Sequence, residues 1–486
     1  MKKIKKFGFV APILIVLLLV VITSYFVEGR SGISYIAIGD LLIDYVQSYY
    51  YFFDTILFIL TVGGLYGALN KVSAYKKLVK SIASKVEARK QLFVIISTIV
   101  FVLLTSIGGF NLLALIFIPF VISIILLLGY DKLVALSSTV VATMVGIIGG
   151  LFFSFRDGTN QYASSFTTFD KVVGLKNIWE NVFPKVLLLV LGTGLLIFFI
   201  IKHIKSVSEG EKINSLSNDD VFFIQTKTRT GKAIEEDYSS VKVWPFIVFG
   251  CLLFVILVLG YMPWNSLFGF DCFNKFHTWL TGLKIGKYVV FTSLISKNIT
   301  ALGNWGDMGS YLMAIVCISL FLLIIKLIYR VRFKDLTNGF VYGVKKMVPG
   351  AMILALAYTV LVAAYNNGFI EAVITNAGDS FGDNVIVASL ITIIGSIINV
   401  DVFYIVAGVI FPIVGTLTDK ADLNVYATLF QSFYGLIQIC GPTSIMLIIG
   451  LSYLDVPYSK WLKYIWRFVL ELFILIFIVL IITSLI

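Results

Sequence analysis

Polar residues interrupt a long apolar run between positions 145 and 165. Glycines come first, and the side chains of Arg156, Asp157, Thr159 and Asn160 follow where an apolar helix would still lie in a membrane. Glycine weakens a helix by about 1 kcal/mol relative to alanine, so the helix can open there. An ionisable group at membrane depth costs about 2.5 kcal/mol or more unless it meets water, a partner or a ligand. The stretch predicts either a broken helix that binds a small molecule or an Arg156–Asp157 pair at the outer surface.

A second interrupted helix is predicted near the other end of the chain, over residues 425–451. It is interrupted at Gly435, at Gln438 and in the segment Gly441-Pro442-Thr443-Ser444. A helix that restarts after a proline presents unpaired N–H groups, which suit a carboxylate. The alternative is a packed, kinked helix whose hydroxyl groups bond to its own backbone. The predicted substrate or ion contacts in this segment are Gln438, Thr443 and Ser444, with Gln431 as a weaker candidate.

Two pairs of short apolar segments enclose polar tips. Residues 91–105 and 112–128 flank the first tip, and residues 385–398 and 405–414 flank the second. Each arm is short for a crossing of about 30 Å of hydrocarbon, so we predict two re-entrant hairpins. For the first pair, two ordinary short spans are the alternative, and its small residues could equally serve close helix packing. The predicted contacts at the tips are Ser106, Gly108, Gly109, Asn111, Asn399 and Asp401.

The charges at these positions indicate what the site would bind. Arg156 can hold a carboxylate through two hydrogen bonds, and Asp157 or Asp401 can hold an ammonium group. One cation with one or two anions suits a zwitterionic amino acid better than a dicarboxylate. Asp401 could instead bind a coupling proton or sodium ion. We expect no cofactor and no metal site, because the two histidines and four cysteines show no ligand spacing.

The composition is that of an integral membrane protein. Of 486 residues, 59% are hydrophobic and only 13% are charged. The net charge of +11 comes from lysines at the ends of apolar runs, which indicates cytoplasmic anchoring. We expect a multi-pass protein of the plasma membrane with a cytoplasmic N-terminus. Its expected partners are a small-molecule substrate and the lipid bilayer, with no nucleic acid, and a homodimer stays open.

An enzyme is the main alternative from another class. It would need a nucleophile with a base, or metal ligands, at membrane depth. Neither histidine lies in an expected span, and no HExxH, GxSxG or GxxxxGKS motif occurs. The sequence therefore favours a protein without catalytic residues, and it excludes ATP-driven transport by this chain alone.

The order of span, hairpin, broken helix and span occurs twice, with opposite orientation in the membrane. We predict an all-α polytopic membrane protein with about nine spans, two re-entrant hairpins and two broken helices, the first of them running from Leu133 to Ser165. Such an inverted repeat opens one central site alternately to either face, which is typical of secondary transporters. The predicted units are a first repeat (1–204), a cytoplasmic linker (205–241), an extra span with an external amphipathic segment (242–309) and a second repeat (310–486).

Several short motifs occur in a characteristic order. They are Phe58-Ile59-Leu60-Thr61-Val62-Gly63-Gly64 with Asn70-Lys71, Leu128-Gly129-Tyr130-Asp131, Ile410-Phe411-Pro412-Ile413, Gly441-Pro442-Thr443-Ser444 and Pro457-Tyr458-Ser459-Lys460-Trp461-Leu462-Lys463. In this order and spacing the sequence resembles the YfcC-like transporters, relatives of the anaerobic C4-dicarboxylate carriers in the ion transporter superfamily. The resemblance covers nearly the whole chain except the linker and residues 263–307. It implies secondary transport of amino acids or dicarboxylates by exchange or cation coupling, with substrate between the two tips and the two breaks.

Two tips depart from the family pattern. The first, Asn111-Leu112-Leu113-Ala114, is almost entirely apolar where the family is polar and acidic. The second, Ile397-Ile398-Asn399-Val400-Asp401, lacks the family's serine-glycine run after a proline. We expect a secondary active transporter, an exchanger or a cation-coupled symporter, of a small carboxylate-bearing solute, most simply an amino acid. The alternatives are a C4-dicarboxylate or short-chain carboxylate carrier, and a degenerate scaffold or sensor.

Overall fold

Helices make up nearly all of the described chain, because an apolar segment in lipid must satisfy its backbone hydrogen bonds internally. The computed structural model describes residues 8–27, 34–108, 111–151, 153–156, 162–165, 168–175, 180–208, 240–261, 270–290, 311–368, 384–399, 402–417 and 421–485. Before residue 209 the helices are α1 (Val10–Val27), α2 (Ile38–Tyr51), α3 (Phe53–Leu69), α4 (Ser73–Val86), α5 (Lys90–Ser106), α6 (Ile118–Leu127), α7 (Lys132–Leu136), α8 (Ala142–Ile148), α9 (Thr168–Val173) and α10 (Val182–Ser208).

The later part of the chain is built in the same way. Its helices are α11 (Trp244–Tyr261), α12 (Cys272–Gly282), α13 (Tyr311–Tyr329), α14 (Phe333–Asn366), α15 (Val385–Ile398), α16 (Val402–Ile405), α17 (Phe411–Val414), α18 (Leu423–Cys440), α19 (Ile445–Tyr453) and α20 (Tyr458–Ser484). Segments of 3-10 helix lie at Glu87–Arg89 and Leu112–Ile116, and π-helical turns lie at Ser137–Val141 and Val406–Ile410. Two antiparallel strand pairs join β1 (Phe153–Arg156) to β2 (Tyr162–Ser165) and β3 (Lys284–Ile285) to β4 (Tyr288–Val289).

The helices support a multi-pass membrane architecture. Among the described residues, six helical segments are long and apolar enough to cross a membrane, and the bent pair of α2 and α3 would make a seventh. Five other apolar helices are shorter. The mostly helical membrane fold agrees with the sequence. The total number of spans, the two re-entrant hairpins and the inverted repeat stay predictions.

The first broken helix differs from its prediction. The helix begins at Lys132, contains a π-helical turn and ends at Ile148, and the next described segment is β1. The prediction of a broken helix as far as Ser165 is therefore wrong beyond residue 148. Gly149 and Gly150 favour the end of the helix, and the alternation of aromatic and small residues in Phe153-Ser154-Phe155 favours a strand.

The helical segment at residues 132–148 packs against the interrupted helix formed by α18 and α19, and the two run in opposite directions. A side chain at Gly435 of α18 would lie 2.6 Å from a carbon of Ile148, at the end of α8. A side chain at Gly450 of α19 would lie 2.9 Å from Val140, in the π-helical turn. The two contacts show that the helices are antiparallel. The break at 441–444 lies between the two contacts and is therefore opposite the region of α7 and α8.

A second close crossing joins α3 to α14. Each helix carries two glycines four residues apart, Gly63 and Gly67 on α3 and Gly339 and Gly343 on α14. The glycine backbones lie so close that a Cβ atom added at Gly339 would lie 2.5 Å from the carbonyl oxygen of Gly67. This is the small-residue contact that lets membrane helices pack backbone against backbone.

Candidate functional site

The first predicted tip is bonded to the end of the first broken helix. Ser106, the last residue of α5, is buried, and its hydroxyl donates to the carbonyl oxygen of Gly149 at 2.9 Å. The N–H of Leu151 donates to the carbonyl oxygen of Ser106, also at 2.9 Å. Helix ends leave several carbonyl and N–H groups without partners inside the helix. These bonds therefore tie the end of α5 to the chain that follows α8.

The second tip is bonded to the second break. α18 ends at Cys440 and α19 begins at Ile445, so the predicted interruption is confirmed at 441–444. Its predicted beginning at Gly435 and Gln438 is wrong, because both residues lie inside the continuous helix α18. Thr443 is buried, and its hydroxyl donates to the carbonyl oxygen of Ile397, near the end of α15, at 2.5 Å. Each half of the chain thus joins a tip to a helix break through one hydroxyl group, but the donor lies on the tip in the first half and on the break in the second.

Ser444 occupies the N-cap position of α19. Its side chain is buried, and its oxygen accepts a hydrogen bond from the N–H of Leu447 at 3.5 Å. A serine hydroxyl can accept one bond and donate another, so the hydroxyl hydrogen can point to an anion. The first N–H groups of the helix add partial positive charge at the same place. The break therefore has the chemistry of a carboxylate contact.

One face of α18 carries a row of buried polar and small residues towards α8. The row consists of Thr428, Gln431, Gly435 and Gln438, which are spaced three or four residues apart. The side-chain nitrogen of Gln431 donates to the carbonyl oxygens of Ile147 and Gly150 at 2.8 Å each. Its side-chain oxygen is buried and accepts no hydrogen bond from the described residues. Gln431 thus links the open end of α8 to the second half of the chain.

A buried ion pair lies one turn further along the same face. The ammonium group of Lys185 on α10 contacts the carboxylate of Asp170 on α9, and both side chains are at most 2% exposed. Asn181 donates to the other oxygen of Asp170 at 3.0 Å, and Thr428 of α18 donates to Asn181, also at 3.0 Å. The network therefore joins α9 and α10 to the row on α18.

A second buried pair of ionisable groups lies at the other end of α10. The ring nitrogen Nε2 of His203 is 2.9 Å from Oδ2 of Asp131, and the two side chains are 6% and 7% exposed. Asp131 also caps α7, because its Oδ1 accepts from the N–H of Val134 at 2.8 Å. Next to it, Lys132 donates to the carbonyl oxygen of Leu454 at 2.9 Å, so this group links α7 to the end of α19.

Comparison with protein families decides the class of protein. Residues 45–485 match the family described as C4-dicarboxylate anaerobic carrier. The chain belongs to this family. The carrier is accordingly a membrane transporter and not an enzyme, and the resemblance to relatives of the C4-dicarboxylate carriers is confirmed.

Two solved transporter structures align with nearly the whole carrier, but their similarity to it is low. The YdaH transporter of Alcanivorax borkumensis is 11% identical, with a TM-score of 0.40 over 97% of this chain and 97% of that chain. MtrF of Neisseria gonorrhoeae is 12% identical, with a TM-score of 0.41 over 96% of this chain and 94% of that chain. No curated protein matches the carrier. The family assignment therefore rests on the family match.

The other predicted site residues of the carrier fall into two groups. Asn399 is buried, donates to the carbonyl oxygen of Gly395 at 2.9 Å and has a side-chain oxygen with no partner among the described residues. Gln438 is buried, whereas Gly108 and Asn111 are half-buried. Gly109, Asp157, Thr159, Asn160 and Asp401 lie outside the described residues, and Arg156 is described only as backbone in β1.

Sequence reasoning about the carrier missed both buried ionisable pairs. It gave Asp170 no role in the site, but the structure buries Asp170 beside Lys185. It also placed both histidines outside the spans, but His203 lies in α10, which is long and apolar enough to cross a membrane. Lys185 and His203 both lie in an apolar helix, and an ionisable residue inside such a helix is itself a signal of function. Their partners, however, come from other elements of the chain.

Proposed function

We propose that the carrier is a secondary active transporter of C4-dicarboxylates or other short-chain carboxylates. The family supports a dicarboxylate, which was the alternative from the sequence, and gives no support to the amino acid that we placed first. The charges on which the amino acid depended, those of Arg156, Asp157 and Asp401, have no described side-chain positions. The hydrogen bond from Thr443 to Ile397 is the observation that carries the proposed site, because it brings the second break to the second tip.

We propose different roles for the two hydroxyl groups of the break. The hydrogen of Thr443 is already used in its bond to Ile397, so Thr443 positions the break. Ser444 uses only its oxygen to cap α19, so its hydrogen can be donated to a substrate carboxylate. The N-terminal N–H groups of α19 would stabilise the same negative charge. Ser106 and Gln431 position the end of α8 on the opposite side of the site.

The predicted inverted repeat would supply a mechanism for this proposal. We propose that the units 1–204 and 310–486 move relative to each other and expose the site alternately to the two faces of the plasma membrane. The lysine-rich side, which includes the N-terminus, would be cytoplasmic. Exchange and cation coupling both fit such a cycle, and a homodimer would not change it.

Counterflow in proteoliposomes tests the substrate. Vesicles are loaded with unlabelled succinate, labelled succinate is added outside, and fumarate, malate and a panel of amino acids are offered as competitors. We expect accumulation of label that C4-dicarboxylates abolish and that amino acids leave intact. Counterflow of amino acids without any dicarboxylate would overturn the proposal, and so would the absence of all counterflow in correctly folded protein.

Ser444→Ala tests the site. The variant should lower counterflow at subsaturating succinate about tenfold or more, because a hydrogen bond to a charged group contributes about 1.5–3 kcal/mol. Ser444→Thr keeps the hydroxyl and should retain most of the rate. The matched control is Ser97→Ala on α5, where a buried hydroxyl donates to Phe93 of its own helix. Equal rates for Ser444→Ala and Ser97→Ala would exclude Ser444 from the site.

A further inference from the structure

His203 and Asp131 form a pair that the proposed substrate site does not use. A neutral histidine that donates from Nε2 to the carboxylate leaves Nδ1 as the atom that can take up a proton. The structure shows no hydrogen bond from Nδ1 to the described residues, and 6% of the side chain stays exposed. A proton can therefore reach the ring and bind without breaking the bond to Asp131.

The charged residues around His203 determine what a proton on its ring does to the local net charge. Asp131 and Lys132 are adjacent, and with a neutral histidine their charges cancel. Tyr464 of α20 places its ring 4.8 Å from the ring of His203, and its hydroxyl is 3.0 Å from that of Ser137. The other charged residues nearby in sequence are Lys202 and Lys205 on α10, Lys463 and Arg467 on α20, and Lys90, whose ammonium group lies over the ring of Tyr130. These are all basic, and Asp455, which follows Leu454, is a second carboxylate close to Lys132 in the chain fold. A proton on His203 therefore adds a positive charge to a group in which basic residues outnumber acidic ones.

We propose that the pair formed by His203 and Asp131 is a proton-binding site that couples carboxylate transport to protons. This inference rests on the proposed function. An imidazole ring has two nitrogens, so one can keep the bond to the carboxylate while the other binds and releases a proton. The pair thus names the coupling ion that the sequence left open between sodium and a proton.

The position of the pair explains how a proton could favour one conformation. Lys132 holds the carbonyl oxygen of Leu454 and so joins the beginning of the first broken helix to the end of the second. A protonated His203 adds a second positive charge beside Asp131, whose neighbour in sequence is Lys132, and the positive N-terminal end of α7 adds to the repulsion. Proton binding therefore disfavours the packing seen here. A conformation that separates Lys132 from His203 would bind the proton more tightly, as coupling requires.

Uptake driven by a proton gradient tests the proposal in the full-length protein. Proteoliposomes with equal potassium on both sides and valinomycin hold the membrane potential near zero while an inward proton gradient is imposed. Labelled succinate uptake should rise about tenfold with the gradient, a factor typical of coupling between two ligands. His203→Gln keeps an N–H for Asp131 but cannot titrate, so it should lose this stimulation and keep succinate counterflow without a gradient.

Two further variants separate coupling from folding. Asp131→Asn keeps the cap of α7 and should also lose the stimulation. The matched control is His277→Gln, the substitution of the only other histidine, which should respond to the gradient as the wild type does. Stimulation that persists in His203→Gln, or a wild type that counterflows without responding to the gradient, would overturn the proton site and leave the proposed function intact. Folded His203→Gln and Asp131→Asn that both lose counterflow would make the pair a positioning element, which also overturns it. Absence of counterflow in the wild type would instead overturn the proposed function.

Discussion

Within the described residues, two of the close helix crossings between the first and second halves of the carrier are built differently. At the crossing of α3 and α14, glycines on both helices bring backbone against backbone. At the crossing of α8 and α18, Gly435 also gives close contact, but the polar side chain of Gln431 bonds to carbonyl groups at the end of α8. The helices α3 and α14 are continuous where they cross. In the other crossing, α8 ends at Ile148 and α18 ends at the break that follows Cys440.

This difference indicates which pair of helices keeps its relative position during transport and which pair moves. Backbone contacts between glycines require one relative position, since any shift brings a side chain into the contact. Hydrogen bonds between side chains and open helix ends can be exchanged for bonds to a substrate or to water at little net cost. We infer that α3 and α14 form the fixed axis, and that substrate-dependent movement takes place between α8 and α18.

The largest effect should follow from a substitution at the fixed crossing. A side chain at Gly343 would meet the carbonyl oxygen of Gly63, which belongs to the backbone and cannot move aside. Gly343→Leu should therefore cost more than the roughly 3 kcal/mol typical of overpacking and should abolish the monodisperse peak in size-exclusion chromatography. Gly194→Leu on α10 is the control, because Gly194 is exposed and a Cβ atom added there meets no heavy atom within 4 Å. A stable, active Gly343→Leu protein would refute the fixed axis.

The buried ion pair beside the polar crossing should give the next largest effect. Lys185→Met leaves the carboxylate of Asp170 buried without its cation, and removing one partner of such a pair costs about 3–5 kcal/mol. We expect a large fall in the thermal denaturation midpoint in detergent. The double variant Lys185→Met with Asp170→Leu removes both charges and should recover most of the loss. A single variant as stable as the wild type would show that the pair does not hold α9 to α10.

Sequence alone predicts the parts of this fold that depend on neighbouring residues. The helix at Val385–Ile398 and the break at residues 441–444 are found where their apolar length and their Gly-Pro pair place them. The β-hairpin after Ile148 was missed, because a membrane-depth argument extended the helix through a segment whose alternating residues favour strands.

The site depends on contacts between distant residues, which local patterns do not reveal. Asp131 and His203 are 72 residues apart, and Gln431 reaches carbonyl groups more than 280 residues away. The glycine and proline residues near Ser106 and Thr443 predict that these two residues belong to the site. They do not predict which carbonyl groups accept the hydrogen bonds of the two hydroxyl groups. Residue type can therefore identify a polar group in an apolar helix, while only the packing of helices identifies its partner.

The smallest of the three effects tests the polar crossing itself. Gln431→Leu removes the two hydrogen bonds to the end of α8 and leaves the carbonyl groups of Ile147 and Gly150 without that donor, which costs about 1–3 kcal/mol. The matched control is Gln438→Leu, two turns along the same face, since Gln438 is also buried but makes no hydrogen bond to the described residues. Thermal denaturation in detergent should therefore show a lower midpoint for Gln431→Leu than for Gln438→Leu.

Transport measurements on Gln431→Leu and on the wild type separate a fixed contact from a movable one. If the bonds of Gln431 are exchanged during the cycle, Gln431→Leu should change the rate of succinate counterflow by a larger factor than its loss of stability at the assay temperature explains. The reason is that the bonds stabilise only the conformation in which α8 and α18 are in contact, so their loss shifts the balance between conformations. A stability loss with an unchanged counterflow rate would instead make the α8–α18 crossing as fixed as that of α3 and α14.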